Sequence, residues 1–154
     1  MIKVNVILNN LKWKKYLRSP NSYINKKVFL LNKKNKSFKS KRFVITLLLS
    51  GTSEIKKLNK KFRNKNKPTD ILAFPFESKI KKKKELYLGD IIISFNFMDR
   101  PKNQSLTLFK DKVIKTFIHG FLHLLNFNHV RLKDYKKMFK EEKVIYQSVI
   151  KKIS

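Results

Sequence analysis

The sequence predicts an α+β fold in which a mixed β-sheet of about four strands packs with helices, one of which carries closely spaced histidines. Segments of strand length, such as Ile2–Leu8 and residues 43–50, occur between longer segments with the apolar spacing of amphipathic helices. The 154 residues contain no internal repeat and suffice for one core of ordinary size, so a single domain over residues 1–154 is expected.

The first part of the chain is predicted to contain two strands with helices between them. Ile2–Leu8 alternates apolar and polar residues, which is the period of a half-buried strand. Residues 43–50 are β-branched and leucine-rich, as in a buried strand. Between the strands we expect a short helix over 11–17, a helix that Pro20 opens and that covers 22–31, and a solvated basic loop over 32–42.

After a turn at Gly51, an amphipathic helix is predicted over residues 53–63, with Thr52 or Ser53 as its cap. A loop follows over 63–70.

The next strand is predicted over residues 70–77. Pro75 restricts it to the edge of the sheet or to a bulge, because proline has no N–H to donate. Phe74 and Phe76 lie on one face by alternation and are expected in the core. A mobile lysine-rich connector, residues 79–86, separates this strand from the next one.

Three further elements are predicted towards the C-terminus: a strand over 88–95, a helix over 106–125 that ends in a turn near Asn126, and an amphipathic helix over 132–151. The apolar side of the last helix is expected to carry Met138, Val144, Ile145 and Val149.

The formal net charge of +28 favours a polyanionic partner such as RNA, because bound Lys and Arg side chains release counterions from phosphates. The basic residues are 33 Lys and five Arg, however, and Gly, Pro and Ala are scarce. Such a composition is typical of an AT-rich genome and would raise the lysine content of any protein. Charge alone is therefore weak support for RNA binding.

The sequence contains no segment typical of a membrane span or a secretion signal. The first residues lack the basic start and apolar middle of a signal peptide, and no apolar run reaches the roughly 20 residues that cross a bilayer. The absence of cysteine excludes disulfides, a thiolate nucleophile and a Cys-ligated metal. A cytoplasmic protein without a membrane partner is expected, and the oligomeric state is left open.

All three histidines lie in the segment HGFLHLLNFNH, residues 119–129. His119 and His123 are four residues apart on a predicted helix, which places both imidazoles on one face. His129 follows the expected turn at Asn126, where a residue that tolerates a left-handed conformation is needed. Three imidazoles without a thiolate suit zinc with one coordination position open, as in catalytic sites. The segment therefore predicts a metal-binding histidine helix.

This histidine spacing also occurs in metzincin proteases, so a metalloprotease is one alternative. Those enzymes carry a glutamate directly after the first histidine as the general base. The chain has Gly120 at that position, which offers no side chain. Peptide hydrolysis is therefore disfavoured unless another carboxylate serves as the base.

Three blocks of the sequence resemble the YbeY family of bacterial rRNA maturation factors. HGFLHLLNFNH is similar to the family motif H-G-x-L-H-L-x-G-Y-D-H. LNKKFRNKNKPTDILAFPFE, residues 58–77, is similar to L-N-x-x-Y-R-x-K-D-K-P-T-D-V-L-S-F-P-F, and LGDIIIS, residues 88–94, is similar to L-G-D-I-x-I-S. The blocks occur in the family order, and their combination is specific.

The resemblance implies a zinc-dependent, single-strand-specific endoribonuclease that acts in 16S rRNA 3′-end maturation and ribosome quality control. It implies that His119, His123 and His129 bind one zinc ion and that Arg63 is a catalytic residue which holds the scissile phosphate. Ribosomal RNA and the small ribosomal subunit are the implied partners. Either a metal-activated water or the neighbouring ribose 2′-OH could be the attacking nucleophile.

The chain departs from the family motif at Asn126 and Asn128, which replace Gly and Asp. Asn126 is compatible with the turn, whereas Asn128 removes a carboxylate that could orient an imidazole. Asp90 is another carboxylate that could support the site or stabilise a turn. The alternative to a nuclease is a non-catalytic ribosome-assembly factor that binds RNA and is stabilised by zinc.

Overall fold

The sheet and helices were located in a computed structural model, which describes residues 1–35, 41–77 and 85–150. The strands are β1 (Ile2–Leu8), β2 (Arg42–Ser50), β3 (Ile71–Pro75) and β4 (Glu85–Ser94). The helices are α1 (Pro20–Lys34), α2 (Thr52–Arg63), α3 (Phe95–Met98), α4 (Leu106–Leu124) and α5 (Leu132–Ile150), and a 3₁₀ helix covers Leu11–Lys15. The predicted α+β class is confirmed.

The four strands form one mixed sheet in the order β1–β2–β4–β3. β1, β2 and β4 are parallel, whereas β3 pairs antiparallel to β4 at the edge of the sheet, which is where Pro75 is tolerated. Gly89 of β4 has a φ of 139°, and a Cβ there would lie 2.1 Å from the carbonyl oxygen of Phe74. The close pairing of these two strands therefore requires glycine at this position.

Helices cover both faces of the sheet. α1, α4 and α5 lie on the side of the main hydrophobic core, to which Ile91 and Ile93 of β4 contribute. α2 covers the other side, where Ile55 packs with Leu72 and Ile92. Because successive residues of a strand point to opposite faces, the isoleucine run of β4 serves both cores.

The predicted end of α1 is wrong because a contact with β1 extends the helix. α1 continues to Lys34, beyond the expected end at residue 31 and into the predicted basic loop. Asn32 accepts a hydrogen bond from the Ile2 N–H at 2.8 Å and donates from Nδ2 to the Ile2 carbonyl at 2.9 Å. These two bonds attach the last turn of α1 to the first residue of β1.

The predicted cap of α2 is also wrong. α2 begins at Thr52 directly after Gly51, and no side chain caps its N-terminus. A Cβ at Gly51 would meet Nδ2 of Asn10 at 2.4 Å. The residue before the helix therefore packs closely against the side chain of Asn10. Ser53 is an exposed residue of the first helical turn.

Two predicted core residues are exposed. Phe76 is 59% exposed because β3 ends at Pro75, and its ring contacts Tyr87 edge-on beyond the end of the strand. Val144 is 52% exposed because α5 turns the neighbouring Ile145 towards the core instead.

Parts of three predicted segments lie outside the described residues: 36–40 of the basic loop, 79–84 of the connector and Lys151 at the end of the last helix. Over the ranges 1–35, 41–77 and 85–150, no helix is both long enough and apolar enough to cross a membrane.

Candidate metal centre

α4 brings two histidines together on one side of the helix, as their spacing predicts. Phe117, Phe121 and Leu124 are buried in the core and fix the rotation of the helix. His119 and His123 project from the opposite side and are partly buried. Their ring centroids are 4.6 Å apart, and their Nε2 atoms are 3.0 Å apart.

A tight turn after α4 brings His129 to the same place. Asn126 adopts the left-handed conformation with a φ of 69°, which confirms the predicted turn, and its N–H donates to the His123 carbonyl at 3.0 Å. The ring centroid of the exposed His129 lies 5.5 Å from that of His119 and 5.2 Å from that of His123. One ligand nitrogen from each of the three rings lies within 4.8 Å of the other two.

Two of the rings are oriented by hydrogen bonds to their other nitrogen. Nδ1 of His119 lies 2.7 Å from Oε1 of Glu142, and Nδ1 of His123 lies 3.0 Å from the carbonyl oxygen of Phe127. Both partners are acceptors, so each Nδ1 carries the proton and donates it. Nε2 is then the nitrogen of each ring that is left for a metal ion, and the two Nε2 atoms face each other.

The donor set fits a zinc ion. The Nε2 atoms of His119 and His123 lie 3.0 Å apart, so one cation could bind both of them. Tetrahedral ligands at about 2.0–2.1 Å from zinc lie roughly 3.3 Å from one another. The Nε2 atoms of His119 and His123 have a separation close to this value. His119, His123 and His129 could therefore hold a metal ion.

The electrostatic environment favours the neutral form of one ring. Burial lowers the pKa of His123, and the charges of His119, His129 and Arg63 lower it further, against the hydrogen bond to Phe127, which raises it. A neutral imidazole is the form that binds a metal.

Sequence reasoning missed Glu142, the carboxylate that contacts the cluster. Glu142 lies on α5 between Met138 and Ile145, at the spacing of the buried face, where a charged residue needs a partner. That spacing could have identified it. Asp90, the carboxylate singled out from the sequence, is an exposed residue of β4 that accepts a hydrogen bond from the Tyr87 hydroxyl.

Gly120 explains why the position after the first histidine carries no carboxylate. A Cβ at Gly120 would lie 2.7 Å from Cδ1 of Ile71 and 3.1 Å from Cγ2 of Ile91. The helix therefore lies directly on β3 and β4 at this point, and a glutamate would have to displace the side chains of Ile71 and Ile91. The arrangement of a metzincin protease is incompatible with this packing.

Arg63 lies at the C-terminal end of α2, which the left-handed Asn64 terminates with a φ of 56°. Its Nη2 donates to the carbonyl oxygen of Ala73 in β3 at 2.9 Å, and its guanidinium carbon lies 5.5 Å from the ring centroid of Phe74. The side chain is exposed and is held against the edge strand by these contacts. Its other N–H groups are available to an anion.

Asn128, which replaces an aspartate of the family motif, acts locally in the turn. Its Oδ1 accepts a hydrogen bond from the Val130 N–H at 3.4 Å. Glu142 provides the carboxylate for His119, so the histidine cluster has an orienting carboxylate although residue 128 has none.

Comparison with known proteins gives the family to which the chain belongs. A model of the family Endoribonuclease YbeY matches residues 8–150. The chain belongs to the YbeY family. Endoribonuclease YbeY of Pelagibacter ubique is 51% identical over 100% of both chains, and that of Persephonella marina is 34% identical over 68% of this chain and 69% of its own. The solution structure of TM1509 from Thermotoga maritima has a TM-score of 0.57 and 25% identity, covering 97% of this chain and 89% of that one.

Membership of the YbeY family confirms the resemblance of the three sequence blocks. The structure places these blocks on neighbouring parts of the sheet and its helices. Residues 58–77 run from α2 into β3 and beyond it, residues 88–94 lie on β4, and residues 119–129 cover the end of α4 and the turn after it. α4 and α2 both pack on β3 and β4, so the histidines and the arginine lie on helices that share these two strands.

Proposed function

We propose that this protein is a zinc-dependent, single-strand-specific endoribonuclease that acts in 16S rRNA 3′-end maturation and ribosome quality control. The observation that carries the proposal is the convergence of His119, His123 and His129 within 4.8 Å, in a chain of the YbeY family. The relatives from Pelagibacter ubique and Persephonella marina bear the name endoribonuclease.

The three histidines would hold one zinc ion, with two of them oriented by the chain. Glu142 accepts the Nδ1 proton of His119 and the Phe127 carbonyl accepts that of His123, so both rings direct Nε2 to a common point. When bound, zinc would supply a Lewis acid that polarises a phosphate oxygen or lowers the pKa of a water molecule. The exposure of His129 leaves this point open to a substrate from solvent.

Arg63 would hold the scissile phosphate. A guanidinium keeps its charge at all working pH values and offers a planar fork of donors that matches two phosphate oxygens. The Ala73 carbonyl takes one of these donors at 2.9 Å and so limits the rotation of the side chain. The fixed positive charge would offset the negative charge that grows on the phosphate in the transition state.

The substrate would be ribosomal RNA and the partner the small ribosomal subunit, in the cytoplasm. A net charge of +28 draws a polyanion to the protein from any direction, and the orientation of the strand then depends on the site.

The proposal is tested by comparing RNA cleavage and zinc content in four proteins: wild type, His123→Ala, Arg63→Ala and the control Arg18→Ala. Arg18 is an exposed arginine before α1, so its loss removes the same charge away from the cluster. We expect Arg63→Ala to keep its zinc and to lower kcat roughly 100- to 1,000-fold, the usual effect of removing a group that stabilises the transition state. His123→Ala should lose both zinc and cleavage, and the control should retain both.

The second candidate function is the non-catalytic assembly factor, and one observation favours it. The histidine cluster joins α4, the turn after it and, through Glu142, α5, so a metal there would also tie these elements together. If purified wild type binds zinc and RNA without cutting, and His123→Ala is unfolded, the assembly factor is correct and the nuclease is not.

A further inference from the structure

α5 exposes a pair of aromatic rings. Tyr135 and Phe139 are one helical turn apart, with 53% and 45% of their surfaces exposed. The two rings are almost parallel, at an interplanar angle of 6° with centroids 6.1 Å apart. Leu132, one turn earlier, is 71% exposed and extends the apolar stripe. Nothing in the established family assignment explains an apolar stripe in water at this place.

The stripe adjoins a groove between α4 and α5. The groove has a volume of about 570 Å³, and Phe139 and Glu142 line its α5 wall. Glu142 also contacts His119, at 2.7 Å. Phe139 is thus shared by the aromatic pair and the groove, and Glu142 is shared by the groove and the histidine cluster.

Lysines border the aromatic pair. Lys136, Lys140 and Lys143 are exposed residues on the solvent side of α5, and none of them forms an ion pair within the part of the chain that the structure describes. Nζ of Lys143 lies 4.4 Å from the ring centroid of Phe139. Lys115, on the α4 wall, is paired with Asp111 at 3.0 Å. The aromatic pair and the edge of the groove beside it thus combine aromatic faces with three lysines that form no ion pair among the described residues, whereas Glu142 inside the groove faces His119.

We infer that this groove binds the unpaired nucleotides of an RNA strand next to the cleaved phosphate, with bases stacked on Tyr135 and Phe139 and phosphates held by the neighbouring lysines. This combination of aromatic faces and positive charge is how proteins bind single strands without regard to sequence. The inference rests on the proposed function, because it takes RNA as the substrate.

Charge favours an RNA strand over a second copy of the chain in the groove. Each copy has a net charge of +28, and the lysines that border the aromatic pair would face like charges across an interface between copies. A polyanion neutralises them instead. In a duplex the faces of the bases are stacked on one another and cannot reach the rings, so the groove would also select single strands.

The test measures the affinity of a short unstructured RNA and of an abasic strand of equal length, which has the phosphates without the bases. The variant is Tyr135→Ala/Phe139→Ala. The control is Phe29→Ala on α1, because Phe29 is also exposed (55%) and has Lys33 four residues later over its ring, at 5.5 Å. Cleavage by wild type is followed on the same samples.

We expect the double variant to bind the RNA at least about tenfold more weakly than wild type, since stacking one base on an aromatic ring is worth that order of affinity. Binding of the abasic strand should be unchanged, and Phe29→Ala should behave as wild type. Tyr135→Leu/Phe139→Leu keeps apolar volume without an aromatic face, so it should show the same loss if the alanine variant fails to fold.

The inference is overturned if folded variants keep the preference of wild type for the base-containing strand. Cleavage by wild type in that experiment would leave the proposed function standing. A wild type that neither binds nor cuts RNA would overturn both. A change from dimer to monomer in sedimentation on removing the rings would overturn the inference too, because the groove would then bind a second copy.

Discussion

α4 carries a cluster of rings at each end, and the two clusters differ in what completes them. Near the N-terminal end, Phe109 is buried beside Trp13 and stacks on Tyr16 with centroids 4.1 Å apart. The Trp13 indole donates to the Ser50 carbonyl at 2.9 Å, and the Tyr16 hydroxyl donates to Asp99 at 2.7 Å. The chain itself provides every partner that these two polar groups need.

At the C-terminal end, the Nε2 atoms of His119 and His123 face each other at 3.0 Å. The chain provides three imidazoles here that could hold a metal ion, and the ion would complete the cluster. The comparison separates a part of the helix that stabilises the fold from a part that is prepared for a ligand. Substitutions at the two ends should therefore change different measured quantities.

The largest effect on stability is expected for Trp13→Ala. Trp13 is fully buried, and removal of a large aromatic side chain from a core costs about 3–5 kcal/mol in the free energy of unfolding. Urea denaturation measures the loss, and zinc titration of the folded variant should give the affinity of wild type. A weaker zinc affinity in a fully folded variant would show that the two clusters are coupled.

Removal of zinc from wild type should have a smaller effect. At a free zinc concentration of 100 times Kd, the ion adds about 2.7 kcal/mol to the free energy of unfolding, and a chelator takes this away. The circular dichroism spectrum should stay that of a folded protein, because the core does not depend on the histidines. Complete unfolding by the chelator would contradict the comparison, since the C-terminal cluster would then be structural.

Glu142→Gln should weaken zinc binding about 10- to 100-fold, the usual cost of removing a carboxylate that orients a histidine ligand. The amide can no longer attract the proton on Nδ1 of His119 with a negative charge. Glu141→Gln is the matched control, since Glu141 is the preceding partly buried glutamate of α5. Competition with a chromophoric chelator measures both affinities, and equal affinities would exclude the role given to Glu142.

The smallest effect is expected at the turn that returns His129 to the cluster. Asn126→Ala should lower the free energy of unfolding by up to about 1–2 kcal/mol, because alanine lacks the short polar side chain that lets asparagine adopt a φ of 69° at low cost. Asn126→Gly should cost little or nothing, as glycine adopts this conformation freely. Thermal unfolding distinguishes the two, and an equal loss in both would point to the asparagine side chain instead of the backbone.

Local periodicity explains which features could be predicted from the sequence. The alternation of Ile2–Leu8 and the spacing of His119 and His123 each follow from one element, and the structure has both. The conformation of Asn126 follows from the need to end a helix and turn back. Each of these depends on only a few neighbouring residues.

Features that depend on distant parts of the chain were missed. Asn32 lengthens α1 by binding Ile2, and Glu142 reaches His119 from another helix. Phe76 alternates correctly with Phe74, but it lies beyond the end of the edge strand and stays 59% exposed although its ring contacts Tyr87. A local sequence pattern does not show which helix or strand packs against a given element in the folded chain.

Glu142 follows all three histidines in the sequence, which has a consequence for the order of synthesis. A nascent chain has the donors of the cluster before it has the carboxylate that orients His119. Domains generally fold as units during synthesis. The ring of His119 is thus held in place only once α5 has been made and has packed against α4.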